Sequence, residues 1–143
     1  MTQAIANEFV QQIAEDVSQK GFKVTVGPSR IPNRTMWRYD PPSLIRGLKF
    51  TPDLLIENSG KFAIVEARTR PFLFGGVADA RKMAEYFGAP AIICVPDEVL
   101  REIPGSVLRF AVEERVQVTP FSGLTGALID SFSSPTSVPG GVR

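Results

Sequence analysis

Not one of the 143 residues is histidine. That gap excludes Ser-His-Asp and Cys-His nucleophile systems, histidine-ligated zinc and any nuclease site built on an imidazole. Acid-base chemistry in this chain therefore falls to carboxylates, lysine, tyrosine or metal-bound water. Cysteine is nearly absent as well. Cys94 stands alone, so no disulfide forms within the chain, and its place in the apolar run of residues 91–95 marks it as a small buried hydrophobe rather than a nucleophile. No stretch approaches the roughly 18 apolar residues that cross a bilayer, and the N-terminus lacks a basic segment leading into an apolar one. A cytoplasmic protein without membrane association is expected. There is no internal repeat and no phosphate-cradling glycine loop, since Gly75-Gly76 is too short to form one.

What remains is the composition of one globular domain, expected over residues 1–129 and large enough for a single core without staples. From about Asp130 onward Ser, Pro and Gly dominate, so residues 130–143 read as a disordered tail. The net charge is only +1, yet residues 20–49 hold seven bases against the single acid Asp40, a local +6. Trp37 and Tyr39 are interleaved with those bases. Arg30, Arg34, Arg38, Arg46 and Lys49 suit phosphate contacts and Trp37 suits stacking on an exposed base, which makes the segment a candidate nucleic-acid contact. A solvated loop whose tryptophan packs back on the core has the same composition.

Periodicity orders the chain. Ile5, Phe9, Ile13 and Val17 recur every four residues, predicting a helix over residues 3–20 whose polar side carries Glu8 and Glu15. Gly21 ends it, and residues 22–26 alternate like a strand. Residues 27–51 contain four prolines (Pro28, Pro32, Pro41 and Pro42) and read as a long irregular connection. Two apolar strands follow, residues 54–56 and 62–65, apolar on both faces and so central in a covered sheet. A helix over residues 77–88, with Val77, Ala80, Met83, Ala84 and Phe87 on its apolar face, leads to a buried strand at 91–95. Strand, crossover helix, strand implies parallel pairing. A weaker helix over 106–113 and a strand over 116–121 complete the ordered part.

Asp53 and Glu66 lie on the two strands of the hairpin. If the turn centres on Ser59-Gly60, Asn58 pairs with Lys61 and Asp53 falls directly opposite Glu66, both on one face. Opposed carboxylates repel, and hard oxygen ligands of this kind suit Mg²⁺ or Mn²⁺ between them. Arg68, two residues beyond Glu66, projects from the same face. Two acids and a cation converging there match metal-assisted phosphodiester hydrolysis: the acids hold the ion, the ion activates water, and the cation steadies phosphate charge. The same spacing also describes a cross-strand ion pair at a solvated edge. A three-residue loop with a bulge would shift the register by one and set Asp53 opposite Val65.

Pro52-Asp53, twelve intervening residues, then Glu66-Ala67-Arg68, placed on a hairpin between a helix-strand pair and a helix-strand pair, resembles the PD-(D/E)xK nuclease superfamily, whose restriction-endonuclease-like fold includes small Holliday-junction resolvases. The resemblance covers residues 3 to about 121. It implies an α/β fold with an αβββαβ core, a central mixed sheet flanked by helices. It further implies a Mg²⁺- (or Mn²⁺-) dependent nuclease acting on DNA, with RNA or branched DNA as other substrates. Asp53 and Glu66 would ligate the ion with the backbone carbonyl of Ala67, and Glu8 is the nearest match to the acid that many members carry on the first helix. Arg68 stands where the family has lysine, with Lys82 a candidate replacement. An arginine there cannot act as a base. The alternative implied is a catalytically inactive nuclease-fold module that binds nucleic acid or a protein partner. Many relatives work as dimers, which for this chain points to residues 77–87 or the apolar loop Phe72-Leu73-Phe74.

Overall fold

The computed structural model of the chain describes residues 2–27 and 52–133, with side chains from Asn7 onward. The architecture is α/β. Helix α1 (Thr2–Gln19) is followed by β1 (Lys23–Val26), β2 (Leu54–Asn58), β3 (Lys61–Ala67), α2 (Phe74–Phe87), β4 (Ala91–Val95), α3 (Asp97–Leu100), α4 (Gly105–Glu113), β5 (Val116–Pro120) and α5 (Leu124–Ser133). The strands lie in sequence order in one sheet. β1, β2 and β3 pair antiparallel, while β3, β4 and β5 pair parallel. This is the expected mixed sheet flanked by helices, and it agrees at that coarse level with a restriction-endonuclease-like fold.

The hairpin register follows from its turn. Ser59 and Gly60 both have positive φ, 54° and 82°, the two-residue geometry whose twist matches the flanking strands. Asn58 therefore pairs with Lys61 and Leu54 with Val65. No bulge intervenes, so side-chain parity runs unbroken to the open end of the hairpin. Leu54, Ile56, Ala63 and Val65 face one side of the sheet, with Phe9, Val10, Ile13 and Val17 of α1 and Leu124 and Leu128 of α5. Leu55 and Ile64 face the other, with Val77, Ala80 and Met83 of α2 and Val107 and Ala111 of α4. Both parallel crossovers step the same way along the sheet. With one handedness for such connections, α2 and α4 fall on the same face, leaving the opposite face to α1 and α5.

Three differences from the sequence reading have identifiable physical causes. α2 begins at Phe74, ahead of residue 77, because the buried Phe72 ring packs over Gly76, where an added Cβ would stand 3.2 Å from the Phe72 Cβ. Gly76, which looks like a loop signal, here admits an aromatic ring. α3 is a single turn between Pro96 and Arg101, too short to leave a periodic signal. α5 carries past residue 129 to Ser133 and buries Phe132, whose ring stacks on Phe22 at 5.7 Å while its carbonyl accepts from Lys61 Nζ at 3.0 Å. Those contacts come from distant parts of the chain, and they hold helical a stretch whose Ser-rich composition favours turns. Among the described residues no helix is long and apolar enough to cross a membrane.

Candidate functional site

Pro52 brings no backbone N–H to the end of β2, and from Asp53 onward side chains extend the ladder. The Asp53 carbonyl accepts from Gly27 N at 2.8 Å, which ties the β2 entrance to the end of β1. Asp53 N donates to Glu66 Oε2 at 2.9 Å, and Ala67 N donates to Asp53 Oδ2 at 2.9 Å. Each carboxylate thus takes an amide proton from the facing strand. On β3's other edge, Arg68 N donates to Cys94 O at 3.0 Å and prolongs the pairing with β4. Parity places Asp53 with Leu55 and Glu66 with Ile64, on the α2 and α4 face.

Both acids are buried, Asp53 at 4% and Glu66 at 3% relative exposure. They are not at a solvated edge. The guanidinium of Arg68 lies across them: Nη1 is 3.4 Å from Asp53 Oδ2, Nη2 is 3.2 Å from Glu66 Oε1, and Nη1 also donates to the Ala67 carbonyl at 3.0 Å. The arginine side chain keeps 29% of its surface in solvent. The structure brings Asp53, Glu66, Ala67 and Arg68 together. Their mutual arrangement is different from that of ligands flanked by a separate cation, because Arg68 turns back and donates to all three acceptor groups.

Burial pushes the Glu66 carboxyl from 4.5 up to about 8, and the neighbouring Asp53 charge adds to the rise while Arg68 works against it. Burial, helped by the facing Asp53 charge, thus favours the protonated form of the Glu66 carboxyl at neutral pH. The folded state keeps that proton to a higher pH than the unfolded chain does. Its stabilising contribution is therefore complete below about pH 4.5 and is lost as the pH rises to about 8. No histidine titrates in that interval to mask the effect. Thermal unfolding followed by circular dichroism should show this contribution to the melting temperature falling from about pH 4.5 to 8 and then levelling off, with a flatter profile for Glu66→Gln. A native profile that is flat through neutral pH would rule out the raised Glu66 carboxyl.

The other sequence candidates separate. Glu8 is exposed on α1, the layer across the sheet from the Asp53 and Glu66 carboxylates. It lines a cleft of about 580 Å³ with Gln12, Thr69, Asp97, Glu98 and Phe121, at the carboxyl ends of the three parallel strands. Asp97 accepts from Ser122 N at 3.0 Å, and that bond holds its carboxyl below the usual carboxylate range. Lys82 is exposed on α2. Among the described residues, no group of three or more acidic, cysteine or histidine side chains is placed to hold a metal ion. Cys94 is fully buried, and burial pushes its thiol up to about 12, so it packs as a hydrophobe. Arg30, Arg34, Trp37, Arg38, Arg46 and Lys49 lie outside the described residues. Of the apolar loop, Phe72 is buried, whereas Leu73 and Phe74 are exposed, Phe74 meeting Phe110 edge-on at 5.3 Å.

What the sequence reading missed was the engagement of the backbone amides of Asp53 and Ala67. The signal was available in part. Side chains two apart on one strand share a face, and an arginine is long enough to fold back over its neighbour. Neither a protein-family model nor a curated protein matches this chain.

Proposed function

We propose that the chain is a catalytically silent module of nuclease-like fold that binds nucleic acid. The observation that carries the first half is the Arg68 guanidinium lying on Asp53, Glu66 and the Ala67 carbonyl. Hydrolysis would need a water activated by a base or by a metal ion. Arginine stays protonated and supplies no base, and the carboxylate oxygens it bonds are drawn towards it and away from any third charge.

The second half rests on how charge is distributed. The described residues hold ten basic and fourteen acidic side chains, while residues 28–51 hold five bases and one acid. Attraction to phosphate therefore belongs to that basic segment, which also holds Trp37, a residue type that stacks on unpaired bases. The cleft lined by Glu8, Asp97 and Glu98 carries the opposite sign. It repels a phosphodiester and favours a second reading, a basic protein surface as partner.

Fluorescence anisotropy with duplex, single-stranded and branched oligonucleotides tests both halves when paired with cleavage assays in Mg²⁺ and Mn²⁺. Binding should weaken as salt rises, with a slope of about −0.9 per phosphate neutralised on duplex DNA and about −0.7 on single strands. Arg34→Ala with Arg38→Ala should reduce both the affinity and the slope, and no cleavage above background should appear. Cleavage that disappears in Glu66→Ala would establish an enzyme instead. Absence of binding to every oligonucleotide would leave the protein-partner reading.

A further inference from the structure

We infer that the Arg68 guanidinium is the resident cation of this site, a tethered positive charge in the place that a divalent ion would otherwise take. The inference deepens the silent-module reading and rests on it for the absence of hydrolysis. Two acids buried on one face of a hairpin require a counter-charge, and three observations identify which charge meets that need.

The first is completeness. Arg68 reaches Asp53 Oδ2, Glu66 Oε1 and the Ala67 carbonyl, one oxygen from each group that the motif would offer a metal. Mg²⁺ demands near-octahedral oxygen coordination at about 2.1 Å. Oxygens spread around a planar guanidinium at 3.0–3.4 Å are arranged for a larger, flat cation.

The second is anchoring. The Arg68 backbone is tied to β4 through Cys94 O at 3.0 Å, and its carboxylate partners are tied to each other through the Asp53 and Ala67 amides. The cation therefore leaves solution only once, when the chain folds. A free ion competing with it must overcome the high effective concentration of a charge held next to its partners. The third is the missing third acid: among the described residues no further carboxylate, cysteine or histidine joins the pair.

The experiment is thermal unfolding of the full chain, native and variant, in Mn²⁺ and in EDTA at constant ionic strength, with Mn²⁺ binding followed by electron paramagnetic resonance. The native melting temperature should be the same in both conditions, with no bound-Mn²⁺ signal. Arg68→Met keeps the length of the side chain and removes its charge, and should melt about 10 °C lower as two buried acids lose their counter-charge. Mn²⁺ should restore much of that loss. Arg68→Met/Asp53→Asn/Glu66→Gln, which removes both acidic groups together with the guanidinium, should recover stability without the ion, and it keeps the test decisive if the single variant does not fold. Native protein that binds Mn²⁺ and loses it in Asp53→Asn would overturn the inference. So would an Arg68→Met protein that melts like the native one, or a triple variant no better folded than the single one. Failure of oligonucleotide binding touches only the module reading, and a Mn²⁺ response of the native protein touches only this one.

Discussion

Ile64→Ala is expected to destabilise the protein by about 2–5 kcal/mol, the range for truncating a fully buried aliphatic side chain and leaving a cavity. Ile64 has no solvent exposure, stands opposite Leu55 in the hairpin and packs with Phe72, Val77 and Ala80 beneath α2. Its neighbours on β3 and β4 are held by backbone ladders on both sides. The space therefore cannot close by a shift of the strand, and the cost belongs to the upper part of the range. For a domain of this size that is a fall of roughly 10 °C in melting temperature. Ile64 also lies two residues before Glu66 on the same face, so the cavity opens next to the buried acids and admits water there. Denaturant melts would show a lower midpoint with an unchanged slope. A loss under about 1 kcal/mol would mean that α2 settles into the gap, which the packing described above does not allow.

Neutralising both acids should cost more than the two single changes added together. Asp53→Asn and Glu66→Gln each preserve the side-chain oxygen that accepts an amide proton, and each leaves one carboxylate against one guanidinium. Because burial and the facing charge already favour a protonated Glu66, either single variant should lie within about 1 kcal/mol of the native protein near neutral pH. The double variant leaves Arg68 with no anion at all. Its guanidinium is only 29% exposed, so solvent compensates in part, and the expected coupling is about 2 kcal/mol beyond additivity. A double-mutant cycle in urea measures it. Additive losses would show that Arg68 is held by packing and by the Ala67 carbonyl, with the charges contributing little.

The hairpin illustrates how much of this site is local. A turn at Ser59-Gly60, where both residues take positive φ, sets the register, and the two-residue repeat of a strand then puts Asp53, Glu66 and Arg68 on one face. Nothing from elsewhere in the chain is needed for that. The apolar stripe of α1, the buried strand around Cys94 and the crossover helix were equally legible, because each is a repeat within fewer than twenty residues. α5 was not. Its Ser-rich end is helical through the stacking of Phe132 on Phe22 and the bond from Lys61 to the Phe132 carbonyl, contacts between residues far apart in the chain.

Glu8 shows the same boundary from the other side. Its helix was legible, but which face of the sheet that helix covers depends on where the two parallel crossovers fall, and they take the Asp53 face for α2 and α4. By itself the sequence determined the absence of imidazole chemistry, the convergence of two acids and an arginine, and the segregation of basic charge into residues 28–51. Only the tertiary structure decided that both acids are buried and that the arginine is the cation that holds them. Parity is written in the covalent geometry of one strand, whereas burial and neutralisation depend on the layers that distant segments bring to each face of the sheet.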